Sequence, residues 1–269
     1  MRKFVIVCAG MLAMAAIAAV ATPEAHAQGS GAQAADSGKK WKDGEFDLYN
    51  AVVQDLGAKN FTKAVTDLDA WKQKFPDSDY KDDREVVYIT AYANTNQAAK
   101  AVDTAAGLLS KDLDATFIAK SGAQQVITVL YTTVSSVRAI PNPTPEETAT
   151  ITKAAHMLAD YNRKPEGVSD ADWATARTQL QAAAKGTLLY IAVVPGEQAT
   201  LRKDCPAAEA AFTKAIKEIP DSAYIAYNLG RALLCQQKDH PEKLPFAIYE
   251  YERAAMLDPT LGGTSKDPD

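Results

Sequence analysis

The sequence predicts an all-α protein. From about Gly44 onward, apolar residues recur three or four positions apart, as in the segments that begin at Phe61, Phe212 and Ile225. Strand-like runs that alternate apolar and polar residues between turn pairs are absent, and only 14 glycines interrupt the 269 residues. A tripeptide that occurs twice, each time after a helix-patterned segment, is the third observation in favour of a helical protein.

Composition and charge exclude several classes of partner. Apolar residues make up 47% of the chain and charged residues 23%, which is the balance of an ordinary soluble globular protein. The formal charge is −5, with 29 basic against 34 acidic residues. Nucleic acids and anionic membrane surfaces require a basic face, so neither is expected as the main partner.

Residues 1–27 have the three parts of a secretory signal peptide. Two basic residues precede an apolar run from Phe4 to about Ala21, and small residues precede the predicted cleavage between Ala27 and Gln28. A retained membrane anchor is the main alternative, because the run is almost long enough to span a bilayer. A lipoprotein is a weaker alternative, because the cysteine in this run lies too early. Export to the periplasm or the exterior is expected, with no transmembrane span in the mature chain.

The same spacing of residues recurs along the chain, which indicates an internal repeat. A small residue stands twelve positions before three prolines, and a bulky residue stands eight positions before each of them. Two of these prolines begin the repeated Pro-Asp-Ser tripeptide. The sets are Ala64, Leu68 and Pro76; Ala208, Phe212 and Pro220; and Ala247, Tyr251 and Pro259. Ala98 follows Ala64 by 34 residues and aligns with it as a further repeat.

These residues resemble the tetratricopeptide repeat, a helix–turn–helix unit of 34 residues. The small residue lets two helices approach closely, the bulky residue fills the space between units, and the proline ends the second helix. The resemblance covers about 45–110 and 189–260, and it implies an α–α superhelix, a solenoid of hairpins with a concave binding face. Between these regions the pattern is degraded. Helices are predicted there at about 114–138, 146–162 and 170–194.

The resemblance divides the rest of the chain into five parts. The signal peptide is followed by a flexible linker at 28–43, which begins with small and polar residues. Tetratricopeptide hairpins are expected at 44–112, degenerate helical hairpins at 113–188, and further tetratricopeptide hairpins at 189–262. Residues 263–269 are expected to form a disordered tail.

In the tetratricopeptide family, particular first-helix positions of each repeat line the concave face. The large aromatic or cationic residues at these positions are Phe46, Tyr49, Tyr80, Tyr224, Tyr227 and Arg231. Tyrosine and arginine are enriched in binding hot spots, so these six form the candidate partner-binding groove; the alternative is that the aromatics pack between hairpins. Chaperone-binding members grip a terminal carboxylate with a lysine and an asparagine. Tyr227 and Arg231 replace them here, so that specificity is not implied.

The sequence contains no motif that indicates catalysis, metal binding or cofactor binding. His156 and His240 lie far apart without a neighbouring ligand, whereas a zinc site needs clustered histidines or cysteines. A phosphate-binding glycine loop, a nucleophile-elbow motif and a zinc-protease motif are all absent. We therefore expect a protein that is not an enzyme and that uses no cofactor and no metal.

Two cysteines, Cys205 and Cys235, remain once the signal peptide is removed. An even count in an exported chain is compatible with a disulfide. In a tetratricopeptide stack the two helix ends that carry them lie side by side, which makes a bridge feasible. Two buried thiols are the alternative.

The resemblance implies a non-catalytic interaction scaffold of the bacterial cell envelope, which binds a segment of an unidentified protein in the groove. Self-association is a further option. One alternative is a structural envelope component, similar to repeat proteins of outer-membrane assembly or cell-division coordination. The other is an enzyme or a small-molecule binder that uses residues 113–188.

Overall fold

Helices account for the regular structure of the described residues, which confirms the all-α prediction. The computed structural model describes residues 39–117 and 122–260. The predicted signal peptide with its cleavage site, residues 28–38 of the predicted linker and the predicted tail at 263–269 lie outside these ranges. Within the ranges, no helix combines the length and the apolar character that crossing a membrane requires.

The described residues form eleven α-helices, and neighbouring helices pack against one another in chain order. They are α1 Glu45–Gly57, α2 Phe61–Lys74, α3 Lys81–Ala93, α4 Ala98–Leu109, α5 Leu113–Thr116, α6 Gly122–Ser135, α7 Pro145–Asp160, α8 Asp170–Leu201, α9 Cys205–Glu218, α10 Ala223–Leu234 and α11 Leu244–Leu257. Short 3₁₀ turns follow α6 and precede α11. Packing in chain order is consistent with an all-α helical repeat solenoid.

Three helix-to-helix turns have the same local geometry. Lys59, Asn96 and Lys203 adopt the left-handed backbone conformation, with φ between 56° and 59°. In each turn the next residue donates its N–H to the carbonyl five residues earlier, as Asn60 does to Asp55 at 2.7 Å. These bonds satisfy carbonyls at the helix end, and the second helix begins two residues after the left-handed one. The geometry therefore marks the turns of the α1–α2, α3–α4 and α8–α9 hairpins.

The shared turn changes the alignment of the second hairpin. Ala64 and Ala208 each lie five residues after the left-handed residue, and both are buried. In the second hairpin the residue at this place is Ala101 and not Ala98. Ala101 is also buried. The alignment on a 34-residue spacing was wrong here, because the left-handed residues of the first two hairpins lie 37 residues apart. The spacing of the first two hairpins therefore differs from the predicted 34 residues.

Two glycines lie where helices of the C-terminal part come closest. A Cβ on Gly196 of α8 would lie 2.6 Å from the ring of Phe212 in α9. Gly230 of α10 stands 34 residues later, and a Cβ there would lie 3.2 Å from both the ring of Tyr251 and the carbonyl oxygen of Ala247 in α11. Phe212 and Tyr251 are the bulky residues of the predicted repeat. The same kind of glycine–aromatic contact thus occurs twice, with the glycines 34 residues apart and the aromatic residues 39 apart.

The middle of the chain differs most from the predicted helices. The helix expected at 114–138 is divided among α5, α6 and a 3₁₀ turn, and the helix expected at 146–162 is α7. The helix expected at 170–194 begins as predicted but continues through Pro195 to Leu201, which gives the 32-residue helix α8. The predicted boundary between 188 and 189 falls inside α8. Since α8 packs against both α7 and α9, this helix joins the two regions.

Candidate functional site

The six predicted groove residues lie in two separate groups. The first is the N-terminal aromatic group, Phe46 and Tyr49 of α1 with Tyr80 at the start of α3; the second is the α10 face, Tyr224, Tyr227 and Arg231. Among the described residues, no ring contact or cation–π contact joins one group to the other. Their surroundings also differ, so each group is described by itself.

Trp41, a residue of the predicted linker, packs into the N-terminal aromatic group. Its ring stacks on Tyr80, with the centroids 3.7 Å and the planes 10° apart. It also lies 5.1 Å from the ring of Tyr49 and 5.5 Å from that of Phe46. Burial raises the pKa of Tyr49, and the charge of Asp83 raises it further. The chain's own tryptophan therefore occupies this part of the predicted groove.

A buried carboxylate adjoins the N-terminal aromatic group. Glu45, the first residue of α1, is fully buried and accepts hydrogen bonds from Trp71 Nε1 at 2.7 Å and from the Lys42 N–H at 3.0 Å. The guanidinium carbon of Arg84 lies 5.3 Å from the Trp71 ring centroid, and Arg84 Nη1 donates to the Phe75 carbonyl at 3.0 Å. Both charges are thus hydrogen-bonded, and Glu45 fixes the approach of the preceding segment to α1.

The lysines around Trp41 contact the acidic residues at and before the start of α3. One contact is an ion pair and two are hydrogen bonds that involve the backbone, of 3.1 Å and 2.8 Å. The pairs are Lys39 with Asp83, Lys40 with Asp79, and Lys42 with Asp77. The sequence does indicate these contacts, because a tryptophan among lysines precedes a cluster of aspartates. The residues before Gly44 were nevertheless interpreted as a linker.

The α10 face is open to solvent. Tyr224 is 40% exposed, Arg231 is exposed, and Tyr227 is half-buried. The Arg231 guanidinium carbon lies 5.9 Å from the Tyr227 ring centroid, and Arg231 Nη1 donates to Asn228 Oδ1 at 3.4 Å. Asn228 in turn donates to the Tyr224 carbonyl at 2.9 Å. Tyr227 also packs against the ring of Tyr251 in α11, at 5.5 Å between centroids. Tyr227 is therefore fixed from both sides.

A carboxylate of α8 orients Tyr224. The tyrosine hydroxyl donates a hydrogen bond to Glu197. Burial raises the pKa of Tyr224 to about 12, and Glu197 adds to the rise, because a phenolate beside a carboxylate is unfavourable. Arg231 acts in the opposite direction. Tyr224 is thus a neutral donor at physiological pH, with its ring held against α8.

The two cysteines lie at disulfide distance. Cys205 is the first residue of α9 and Cys235 directly follows α10, and their Cα atoms are 6.2 Å apart. This separation is within the usual range for a disulfide. The expected proximity of these two helix ends is therefore confirmed, and a bridge here would link α9 to α10 at the end of the α10 face.

Within 39–117 and 122–260, no group of three or more His, Cys, Asp or Glu side chains is arranged to hold a metal ion. No protein-family model matches the sequence, and a comparison with curated proteins gives no match. The case for function therefore depends on the residues themselves.

Proposed function

We propose that this chain is a non-catalytic tetratricopeptide-type interaction protein of the bacterial cell envelope, which binds a segment of another protein on the α10 face. The sequence resemblance, the hairpins packed in chain order and the two glycine–aromatic contacts, whose glycines lie 34 residues apart, support the repeat type. The signal-peptide pattern and the cysteine pair at disulfide distance support export.

The observation that carries the proposal is the asymmetry of α10. One side of this helix is buried, including Ile225, Leu229 and Leu233. The other side presents two tyrosines and an arginine, followed by the partly exposed Leu234. Tyrosine and arginine contribute most of the binding energy in many interfaces, and an aliphatic side chain beside them adds apolar area. Such a face suits an extended or helical protein segment.

Existing contacts already restrict the side chains of the α10 face. Glu197 orients the Tyr224 hydroxyl, while Tyr251 and Arg231 flank Tyr227. A side chain that is held before binding loses less entropy when the complex forms. Arg231 is exposed and presents N–H donors suited to a carboxylate or a backbone carbonyl of the partner. The expected partner segment therefore carries an apolar residue next to such an acceptor.

The N-terminal aromatic group is left out of the proposed site. Trp41 already stacks on Tyr80 and contacts Phe46 and Tyr49. A partner could use these positions only by displacing Trp41, together with the hydrogen bonds and the ion pair of the neighbouring lysines. We therefore restrict the binding face to α10, a smaller surface than the six predicted residues would form.

Site-specific photocrosslinking in the bacterium that produces the protein tests this proposal. A photoreactive residue at Leu234 reports on the α10 face, and one at the exposed Lys214 of α9 is the matched control. We expect one dominant envelope protein to crosslink at position 234 and not at 214, and its yield to fall at least tenfold in a Tyr224→Ala/Tyr227→Ala/Arg231→Ala variant that keeps its helical circular dichroism. Equal crosslinking at both positions, or an unchanged yield in the triple variant, would contradict the proposal.

A further inference from the structure

A cleft of about 460 Å³ lies among α9, α10 and α11. Leu229 and Leu233 of α10 contribute apolar surface to it. Each stands two positions after a residue of the proposed binding face, Tyr227 or Arg231, and two positions along an α-helix correspond to a rotation of about 200°. The cleft therefore lies on the opposite side of α10 from the α10 face and is separate from the proposed binding site.

One oxygen of a buried carboxylate in the cleft lining lacks a hydrogen bond. Glu250 of α11 is only 9% exposed, and its Oε2 accepts no hydrogen bond from the described residues. Arg253 Nη1 lies 3.6 Å from this oxygen, while Arg253 Nη2 donates to the Pro220 carbonyl at 2.6 Å. Burial raises the pKa of Glu250 in spite of Arg253. A buried carboxylate oxygen without a hydrogen bond is costly in free energy, and a donor on a ligand would offset that cost.

The other charged groups of the cleft lining take part in hydrogen bonds. Lys243 Nζ contacts Glu209 at 2.6 Å and donates to Gln236 at 2.8 Å. Glu242, another carboxylate of the lining, lies 3.1 Å from His240 Nδ1. Carboxylates therefore outnumber the single lysine in the lining, and the lysine is engaged by Glu209. This balance favours a cationic ligand.

Two aromatic side chains stand beside the buried carboxylate. Phe246 and Tyr249 line the cleft, yet they are 63% and 59% exposed. They are three residues apart on α11 and so share one face of the helix. A cation that approaches Glu250 would pass an aromatic ring, where cation–π attraction adds to the attraction of the carboxylate.

We propose that this cleft binds an arginine side chain of a partner protein segment. The guanidinium donates to the Glu250 carboxylate and stacks on Phe246 or Tyr249, while its methylene groups contact Leu229 and Leu233. Arginine fits better than lysine, because its planar head can donate two parallel hydrogen bonds to a carboxylate and lie flat on a ring. The exposure of the aromatic pair allows a side chain to enter while the backbone that carries it remains outside.

Nuclear magnetic resonance titration with two peptides tests the proposal. The probe is acetyl-Ala-Leu-Arg-Leu-Ala-amide, and its matched control contains citrulline, which keeps the shape of arginine without the charge. We expect the arginine peptide to shift amide resonances of α9 and α11 around the cleft and to bind about tenfold or more tightly than the citrulline peptide, the range for a charge-assisted hydrogen bond. Equal affinities, or no shift with either peptide at millimolar concentration, would overturn the proposal. A lysine peptide that binds as tightly as the arginine peptide would overturn the assignment to arginine.

Two variants of the same helix locate the charge that binds the peptide. Glu250→Gln keeps the size of the side chain and removes its charge, while Glu252→Gln makes the same change at an exposed position two residues later. We expect Glu250→Gln to weaken arginine-peptide binding about tenfold without lowering the melting temperature, and Glu252→Gln to change the affinity less than about twofold. Wild-type affinity in Glu250→Gln, or an equal loss in Glu252→Gln, would reject Glu250 as the binding group. The triple variant of the α10 face should still bind the peptide.

Discussion

The first hairpin and α10 both carry aromatic side chains, but they use them differently. At the first hairpin, Phe46 and Tyr49 of α1 and Tyr80 before α3 surround Trp41, and a buried carboxylate and three lysines hold that segment in place. On α10 the tyrosines are fixed by their own neighbours and remain accessible. Positions that the resemblance treats as equivalent are thus covered at the first hairpin and accessible on α10. Four predictions concern these two regions and the cleft beside α10, from the largest expected effect to the smallest.

The cysteine pair is expected to give the largest effect. A bridge between Cys205 and Cys235 closes a loop with a sequence separation of 30, which in the chain-entropy model stabilises the fold by about 3–4 kcal/mol. We expect the Cys205→Ser/Cys235→Ser variant to lose this much free energy of unfolding in urea under oxidising conditions. Wild-type protein treated with a reductant is the control and should match the variant. Free thiols in the untreated protein would contradict the prediction.

Removal of Trp41 tests whether the N-terminal aromatic group is packing. Trp41→Ala eliminates the stacked contact with Tyr80 and the contacts with Phe46 and Tyr49, so we expect the free energy of unfolding to fall by about 2 kcal/mol. Phe46→Ala is the control, because Phe46 is 42% exposed and should cost less. If Trp41→Ala were as stable as wild type and crosslinked a new partner near Tyr80, the first hairpin would be a binding site that Trp41 covers.

Residue spacing predicted the helix contacts in which a small or a bulky side chain recurs at a fixed position. Ala64, Phe212 and Tyr251 were identified because a small or bulky residue at a fixed distance before a proline reflects helix contact. The left-handed turns at Lys59 and Lys203 could not be found in this way. Lysine is not typical of that backbone conformation, so only the hydrogen bonds of the turn reveal it.

The candidate sites were less predictable, because they depend on which side of a helix its neighbours cover. Trp41 was assigned to a linker because small and polar residues come before it. Glu250 resembles an ordinary surface residue of an amphipathic helix, and its burial follows from the placement of α11 against α10. The sequence did not predict that Tyr224 is exposed while Tyr80 is covered by Trp41, because the tetratricopeptide pattern assigns both tyrosines to the concave face.

The Glu250→Gln variant should also show how the cleft affects stability. The pKa of Glu250 is raised in the folded state, so this group favours folding when it is protonated, and that contribution is lost as the pH rises through the folded pKa. At pH 7 we therefore expect Glu250→Gln to be more stable than wild type by about 1 kcal/mol. Below the ordinary glutamate pKa of about 4.3, Glu250 is protonated in both states and the difference should vanish. Urea unfolding at pH 7 and pH 4 measures this, with Glu252→Gln as the control that shows no gain.

The smallest expected effect is the coupling between Tyr224 and Glu197, which tests whether the α10 face is held in place before a partner binds. The hydrogen bond is charge-assisted, but Tyr224 is partly exposed, so water competes for both groups. A double-mutant cycle with Tyr224→Phe and Glu197→Gln should give a coupling free energy of about 0.5 kcal/mol at pH 7. Tyr227→Phe with Glu197→Gln is the matched control and should show none. Because the pKa of Tyr224 is raised to about 12, its contribution should persist up to the ordinary tyrosine pKa of about 10 and be lost as the pH rises to about 12. Coupling equal to that of the control would mean that the α10 face becomes ordered only when a partner binds. The α10 face would then differ from the first hairpin in rigidity as well as in exposure.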